Sequence, residues 1–113
     1  MTIQIKRAYL PAAHGDGYRV LVDRLWPRGV SREHAAIDLW LKDVAPTTAL
    51  REWFNHQDDR FVEFSARYEA ELHDNPSLED LRRVVAEHAV VTLVYGAKNE
   101  EHNQAVVLLN YLG

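Results

Sequence analysis

The sequence predicts a small α/β domain: a mostly parallel sheet of about three to four strands, flanked by about four to five helices. Three observations lead there. Residues 20–22 and 89–95 are continuous apolar, largely β-branched runs, the pattern of strands covered on both faces. The stretch between them holds about three helical patterns, ample for a crossover joining parallel neighbours. A length of 113 residues, 47% hydrophobic and 27% charged, fits a single domain over residues 1–113 with one core.

Each element has its own signal. Residues 2–9 alternate, with Ile3 and Ile5 apolar against Gln4 and Lys6, which predicts a half-exposed strand. His14-Gly-Asp-Gly17 is turn chemistry, and His14 and Asp16 read as a solvated loop. The strand at 19–23 has its apolar residues in sequence and takes a central place in the sheet. Ser31 is placed to cap a short helical turn through Ala36. Residues 37–44 fit period two at Ile37, Leu39 and Leu41, and equally a helix face at Ile37, Trp40, Leu41 and Val44; Pro46 ends either.

Three helices are expected next. Thr48 is a candidate cap for the first, with Leu50, Trp53 and Phe54 on one face. The second spans about 58–73, with Phe61, Phe64, Tyr68 and Leu72 as its stripe and an acidic start. Asn75-Pro76 breaks the chain, and Ser77 with Asp80 resembles a capping box that opens the third. Its buried side is Leu78, Leu81, Val84, Val85 and His88, the histidine serving the helix C-terminus. A last helix from about Glu100 carries Ala105, Leu108, Leu109 and Leu112, with Glu100 and Glu101 in its first turn.

Composition narrows the function. There is no cysteine, which removes disulfides, thiolate metal sites and a cysteine nucleophile. The net charge of −4 disfavours nucleic acid, whose phosphates are met by a basic surplus. The opening residues lack the apolar core of a signal peptide, and no run reaches the ~18 apolar residues of a membrane span, so the cytoplasm is the expected location. The six histidines include no pair at metal-ligand spacing, and no phosphate loop, dinucleotide fingerprint or nucleophile elbow occurs; no metal or cofactor is expected.

If the strands at 19–23 and 90–95 are parallel, their C-terminal ends share the edge where open α/β sheets bind ligands. That brings Asp23, Arg24 and Arg28 opposite Tyr95, Lys98, Asn99 and His102. Arginines match planar anions, so a phosphate- or carboxylate-bearing small molecule fits. The same charges also fit an internal ion-pair network that locks the loop. Trp26-Pro27 reads as a plug for the end of the core and equally as a pocket wall. Gly29 is expected in a conformation barred to other residues. His102, on the stripe of Ala105 and Leu109, suits hydrogen-bonded packing and also proton transfer, while His56 reads as a surface residue.

The strings Arg-Val-Leu-Val-Asp-Arg-Leu-Trp-Pro-Arg-Gly (19–29), Leu-Trp-Leu-Lys-Asp-Val-Ala-Pro (39–46) and Leu-Arg-Glu-Trp-Phe-Asn-His (50–56) carry a resemblance. With residues 95–98 and 101–107 they resemble the YeaO-like branch of the bacterial domain-of-unknown-function 488 family. The resemblance spans nearly the whole chain and implies a compact α/β fold with a small parallel sheet; it implies no established activity. The related branch carries a cysteine-containing segment after its last core strand, where this chain has residues 96–102 without cysteine, so thiol chemistry does not transfer.

The leading expectation is a small-molecule-binding protein with an anion-accepting pocket. Arg24 and Arg28 hold the anion, with Trp26 beside them, and Tyr95, Lys98 and Asn103 close the other side. Asp23 and His102 are the candidates for proton transfer should there be a reaction. The competing expectation is a non-catalytic interaction module: the Asp/Arg cluster is then purely structural, and an exposed face of Trp40, Trp53 and Phe54 meets a partner.

Overall fold

Four parallel strands form one sheet in the order β1-β4-β2-β3 in the computed structural model, which describes residues 2–113. Strand β1 is Thr2–Arg7, β2 Tyr18–Leu21, β3 Leu39–Trp40 and β4 Val90–Tyr95. Helix α1 is Arg32–Ala35, α2 Thr48–Phe54, α3 Phe61–His73, α4 Ser77–Glu87 and α5 Gln104–Leu112. The two continuous apolar runs are the central strands. They pair directly, with Tyr18 opposite Val91 and Leu21 opposite Val94. β1, the alternating stretch, and the two-residue β3 take the edges.

Strand periodicity divides the core. Val20, Val22, Val91, Leu93 and Tyr95 pack with Phe54, Phe64, Tyr68, Leu72, Leu81 and Leu108. The alternate positions, Leu21 and Val94, join Ala8, Trp26, Ile37 and Trp40 in a smaller cluster. Tyr68, fully buried, donates its hydroxyl to the carbonyl of Val44 at 2.6 Å, which ties α3 to the segment after β3. Among the described residues no helix is long and apolar enough to cross a membrane.

Several local expectations resolve. Ser31 caps α1 by accepting from the amide of His34, and His88 brings Nδ1 to 2.8 Å from the carbonyl of Val84 at the end of α4. Gly29 sits at φ +79°. Residues 37–44 take the strand alternative at Leu39–Trp40, followed by one 3-10 turn at Lys42–Val44; the helix face of Ile37, Trp40, Leu41 and Val44 does not form.

The helix starts need correction. Thr47, not Thr48, caps α2, because its extended backbone lets its hydroxyl reach the amide of Leu50. The Ser77–Asp80 box does not form; the side chain of Asn75 accepts from the amide of Ser77 instead. The last helix starts at Gln104, capped by Asn103, whose side chain accepts from the amide of Val106. Glu100 and Glu101 therefore lie before the helix, in a turn where the side chain of Asn99 accepts from the amides of Glu101 and His102.

The largest correction concerns Asp16. It is buried, not solvated, and accepts from Lys6 at 3.1 Å, from Arg19 at 2.6 Å and from the amide of Ala13 at 2.9 Å. Turn chemistry reports backbone shape, whereas the two charged partners come from two different strands, Lys6 from β1 and Arg19 from β2.

Candidate functional site: a cavity at the C-terminal edge of the sheet

Because all the strands run the same way, every strand end contributes to one edge. Tyr9 follows β1, residues 23–28 follow β2, Ala45 and Pro46 follow β3, and Gly96, Ala97 and residues 102–104 follow β4. Together with Arg51 and Phe54 of α2 and His56 just after it, they enclose a cavity of about 400 Å³.

Asp23 is the only carboxylate lining it among the described residues. Its Oδ2 accepts from the amide of Gly96 at 2.8 Å, and its Oδ1 accepts from the side-chain amide of Gln104. A Cβ at position 96 would lie 2.8 Å from Oδ2, so glycine is what lets the β4 loop approach. Burial pushes the Asp23 carboxyl up to about 6, against the opposing pull of the Gly96 amide, Gln104 and the charge of Arg51.

The arginines do not pair with it. Arg24 donates to the carbonyls of Pro46 at 3.1 Å and Ala45 at 3.2 Å, with Asp43 a distant 3.9 Å away. Arg28 and Arg51 line the cavity, and neither side chain makes an ion pair or hydrogen bond among the described residues. The internal Asp23–Arg24–Arg28 network is thus absent. Arg24 fixes the loop to the segment after β3, and Arg28 and Arg51 remain at the cavity wall as exposed residues.

His102 lines the same cavity and is held from behind. Its Nδ1 lies 3.1 Å from Asp58 Oδ1, and its ring stacks on Phe61 with centroids 4.5 Å apart. Asp58 also accepts from the side chain of Asn99 at 2.9 Å. With Nδ1–H donating to Asp58, Nε2 is the ring atom left for another partner. The packing role and a poised imidazole coexist in one residue.

The remaining expected residues divide. Trp26 lines the cavity, donates its indole N–H to the carbonyl of Val30 at 2.7 Å and packs under Arg32, so it is both plug and wall. Asn103 also borders the cavity, but both ends of its amide are engaged, as the α5 cap and with the carbonyl of Asn99 at 2.8 Å. Tyr95 is 2% exposed in the core beneath, and Lys98 is exposed outside the lining.

Arg51, His56, Gln104 and Asp58 are contributors that the strand-end argument does not name. The signal available for Gln104 was the N-cap preference of Asn103, which puts the next residue in the first turn. For Arg51 and Asp58 the juxtaposition is purely tertiary.

Fold and site together define a cysteine-free parallel α/β domain with a cationic cavity at the carboxyl edge of its sheet. The chain belongs to the DUF488-N3i family, described as the inactive DUF488-N3 subclade, and the match spans residues 2–113. It is 42% identical over 112 residues to the uncharacterised protein YeaO of Escherichia coli (strain K12), covering 99% of this chain and 97% of that one. It is also 42% identical over 110 residues to an uncharacterised protein of Mycobacterium tuberculosis (strain ATCC 25618 / H37Rv), covering 97% and 92% respectively. No solved structure matches the chain.

Proposed function

We propose that this protein binds a small phosphate- or carboxylate-bearing molecule in the cavity at the C-terminal edge, holding it rather than transforming it. The observation that carries this is that Arg28 and Arg51, exposed arginines whose side chains have no hydrogen-bond or ion-pair partner among the described residues, both line one cavity. A guanidinium without a protein partner is available to an anion, and arginine suits planar oxyanions. Arg24 sets the wall, and His102 adds a polar ring nitrogen, Nε2, to the lining. The description of the family as inactive supports binding over turnover.

The interaction-module reading requires an exposed face of Trp40, Trp53 and Phe54. Against it, Phe54 is buried, Lys42 lies over the ring of Trp40, and Arg60 and Arg67 lie over the ring of Trp53. A net charge of −4 favours a small anion over nucleic acid, and the absence of cysteine fits a reducing cytoplasm.

A thermal-shift screen with phosphorylated and carboxylated metabolites tests the proposal. A ligand at a hundred times its dissociation constant adds about 2.7 kcal/mol. The expected hit raises the melting temperature of the wild type and leaves the Arg28→Ala/Arg51→Ala double variant unmoved. Equal shifts in both proteins, or no shift with any anion, would refute it.

A further inference from the structure

We infer that the ligand carries a hydroxyl group beside its anionic group, and that Asp23 is the residue that reads the hydroxyl. The inference rests on the anion reading of the cavity and adds a requirement to it. A carboxylate beside an anion site repels the ligand, so its presence needs a reason. Ion pairing is not that reason: Arg24 is directed to the carbonyls of Ala45 and Pro46, Arg28 makes no ion pair with Asp23 among the described residues, and Arg51 acts on it only as a charge at a distance.

Asp23 is instead held in place. The amide of Gly96 fixes one oxygen and the side chain of Gln104 the other. A carboxylate offers about four acceptor positions, so roughly half its capacity stays unused at the cavity wall. The charged groups around it select the kind of donor. The guanidinium charges of Arg24 and Arg28 from the β2 loop and Arg51 from α2 make an ammonium group unwelcome, while the imidazoles of His56 and His102 border the same cavity. A neutral hydroxyl satisfies the free acceptor without adding positive charge. A site built to hydrogen-bond a hydroxyl rejects the analogue lacking it, because its polar group is then left unpaired.

Two phosphate esters of nearly the same size, glycerol 3-phosphate and n-propyl phosphate, differ by the hydroxyls alone. Their affinities are measured by calorimetric titration at pH 8 for the wild type and for Asp23→Asn and Asp23→Ala, each checked for folding by circular dichroism. The wild type is expected to prefer glycerol 3-phosphate at least tenfold. Both variants are expected to bring the two ligands within about threefold, because the carboxylate that propyl phosphate leaves unpaired is gone. A carboxylate that merely braced the loop would weaken both ligands together on substitution.

Equal wild-type affinities for the two esters would overturn the role of Asp23 while leaving the anion site standing. No binding of either would overturn both. The wild-type comparison keeps the proposal open to refutation even if neither variant folds.

Discussion

Asp16 and Asp23 flank the same strand, β2, and their surroundings pull in opposite directions. Asp16 is enclosed by partners: Lys6, Arg19 and the amide of Ala13 all donate to it. Burial alone would raise its carboxyl, yet those donors outweigh burial and hold it below the ordinary carboxylate value. Asp23 receives only uncharged donors, Gly96 and Gln104, so burial prevails and lifts it to about 6. In the first cluster the cations are turned inward and used. In the second, Arg28 and Arg51 are left facing a cavity. The difference separates a charge cluster that holds the fold together from one arranged to receive something.

The most damaging substitution is expected at the closed cluster. Asp16→Ala strands Arg19, which is 3% exposed and already has one buried nitrogen without a partner among the described residues. Removing one member of a buried pair costs about 3–5 kcal/mol. Urea unfolding checks this, and a loss below about 1 kcal/mol would mean the two clusters are energetically alike. Gly96→Ala should follow, at about 1–3 kcal/mol, because the new methyl intrudes on Asp23 Oδ2 and forces the loop to shift. Unchanged stability there would show that the close approach is dispensable.

Asp23→Asn should do the reverse and stabilise. The folded carboxyl titrates near 6 and the unfolded one near 3.8, so between these values the fold binds the extra proton and stability falls as pH rises. The asparagine escapes that loss, and a gain of the order of 1–2 kcal/mol is expected at pH 8, after allowance for partial solvation. Near pH 4 the gain should vanish. Asp16 has the opposite sign: its depressed value adds stability above the unfolded carboxylate range that is lost as pH falls through the folded value. Unfolding measured from pH 3 to pH 8 resolves both slopes, and a destabilised Asp23→Asn at pH 8 would contradict the contrast. The smallest effect is expected from Arg28→Ala and Arg51→Ala, each within about 0.5 kcal/mol of wild type, because neither side chain is bonded to the protein.

The sheet was legible because its two central strands are continuous apolar runs, and their parallel pairing follows from the helices between them. That pairing led to the shared edge, and Asp23, Arg24, Trp26, Arg28, His102 and Asn103 do line one cavity. Tyr95 fell on the wrong side, although the alternation that buries Leu93 under the helices also buries Tyr95 two positions on. The helix starts slipped because capping side chains act from outside the helix: Thr47 and Asn103 stand one position before α2 and α5, and Asn75 two positions before α4. Pairing was the part hidden from the sequence. Asp16 looked like a turn and Asp23 like an ion-pair partner, and the structure exchanges the two descriptions. The partners of Asp23 lie far along the chain, at Gly96 and Gln104, and those of Asp16 lie near it but are brought together only by the fold of the turn between β1 and β2.

An amide-detected NMR titration of the wild type with inorganic phosphate at low salt tests most directly whether the open cluster is an anion site. Saturable shifts concentrated at Arg28, Arg51, Gly96, His102 and Gln104, and absent from the Arg28→Ala/Arg51→Ala variant, are predicted. Shifts scattered over the surface, or centred on Lys6, Asp16 and Arg19, would show that the unpaired arginines are not a binding site.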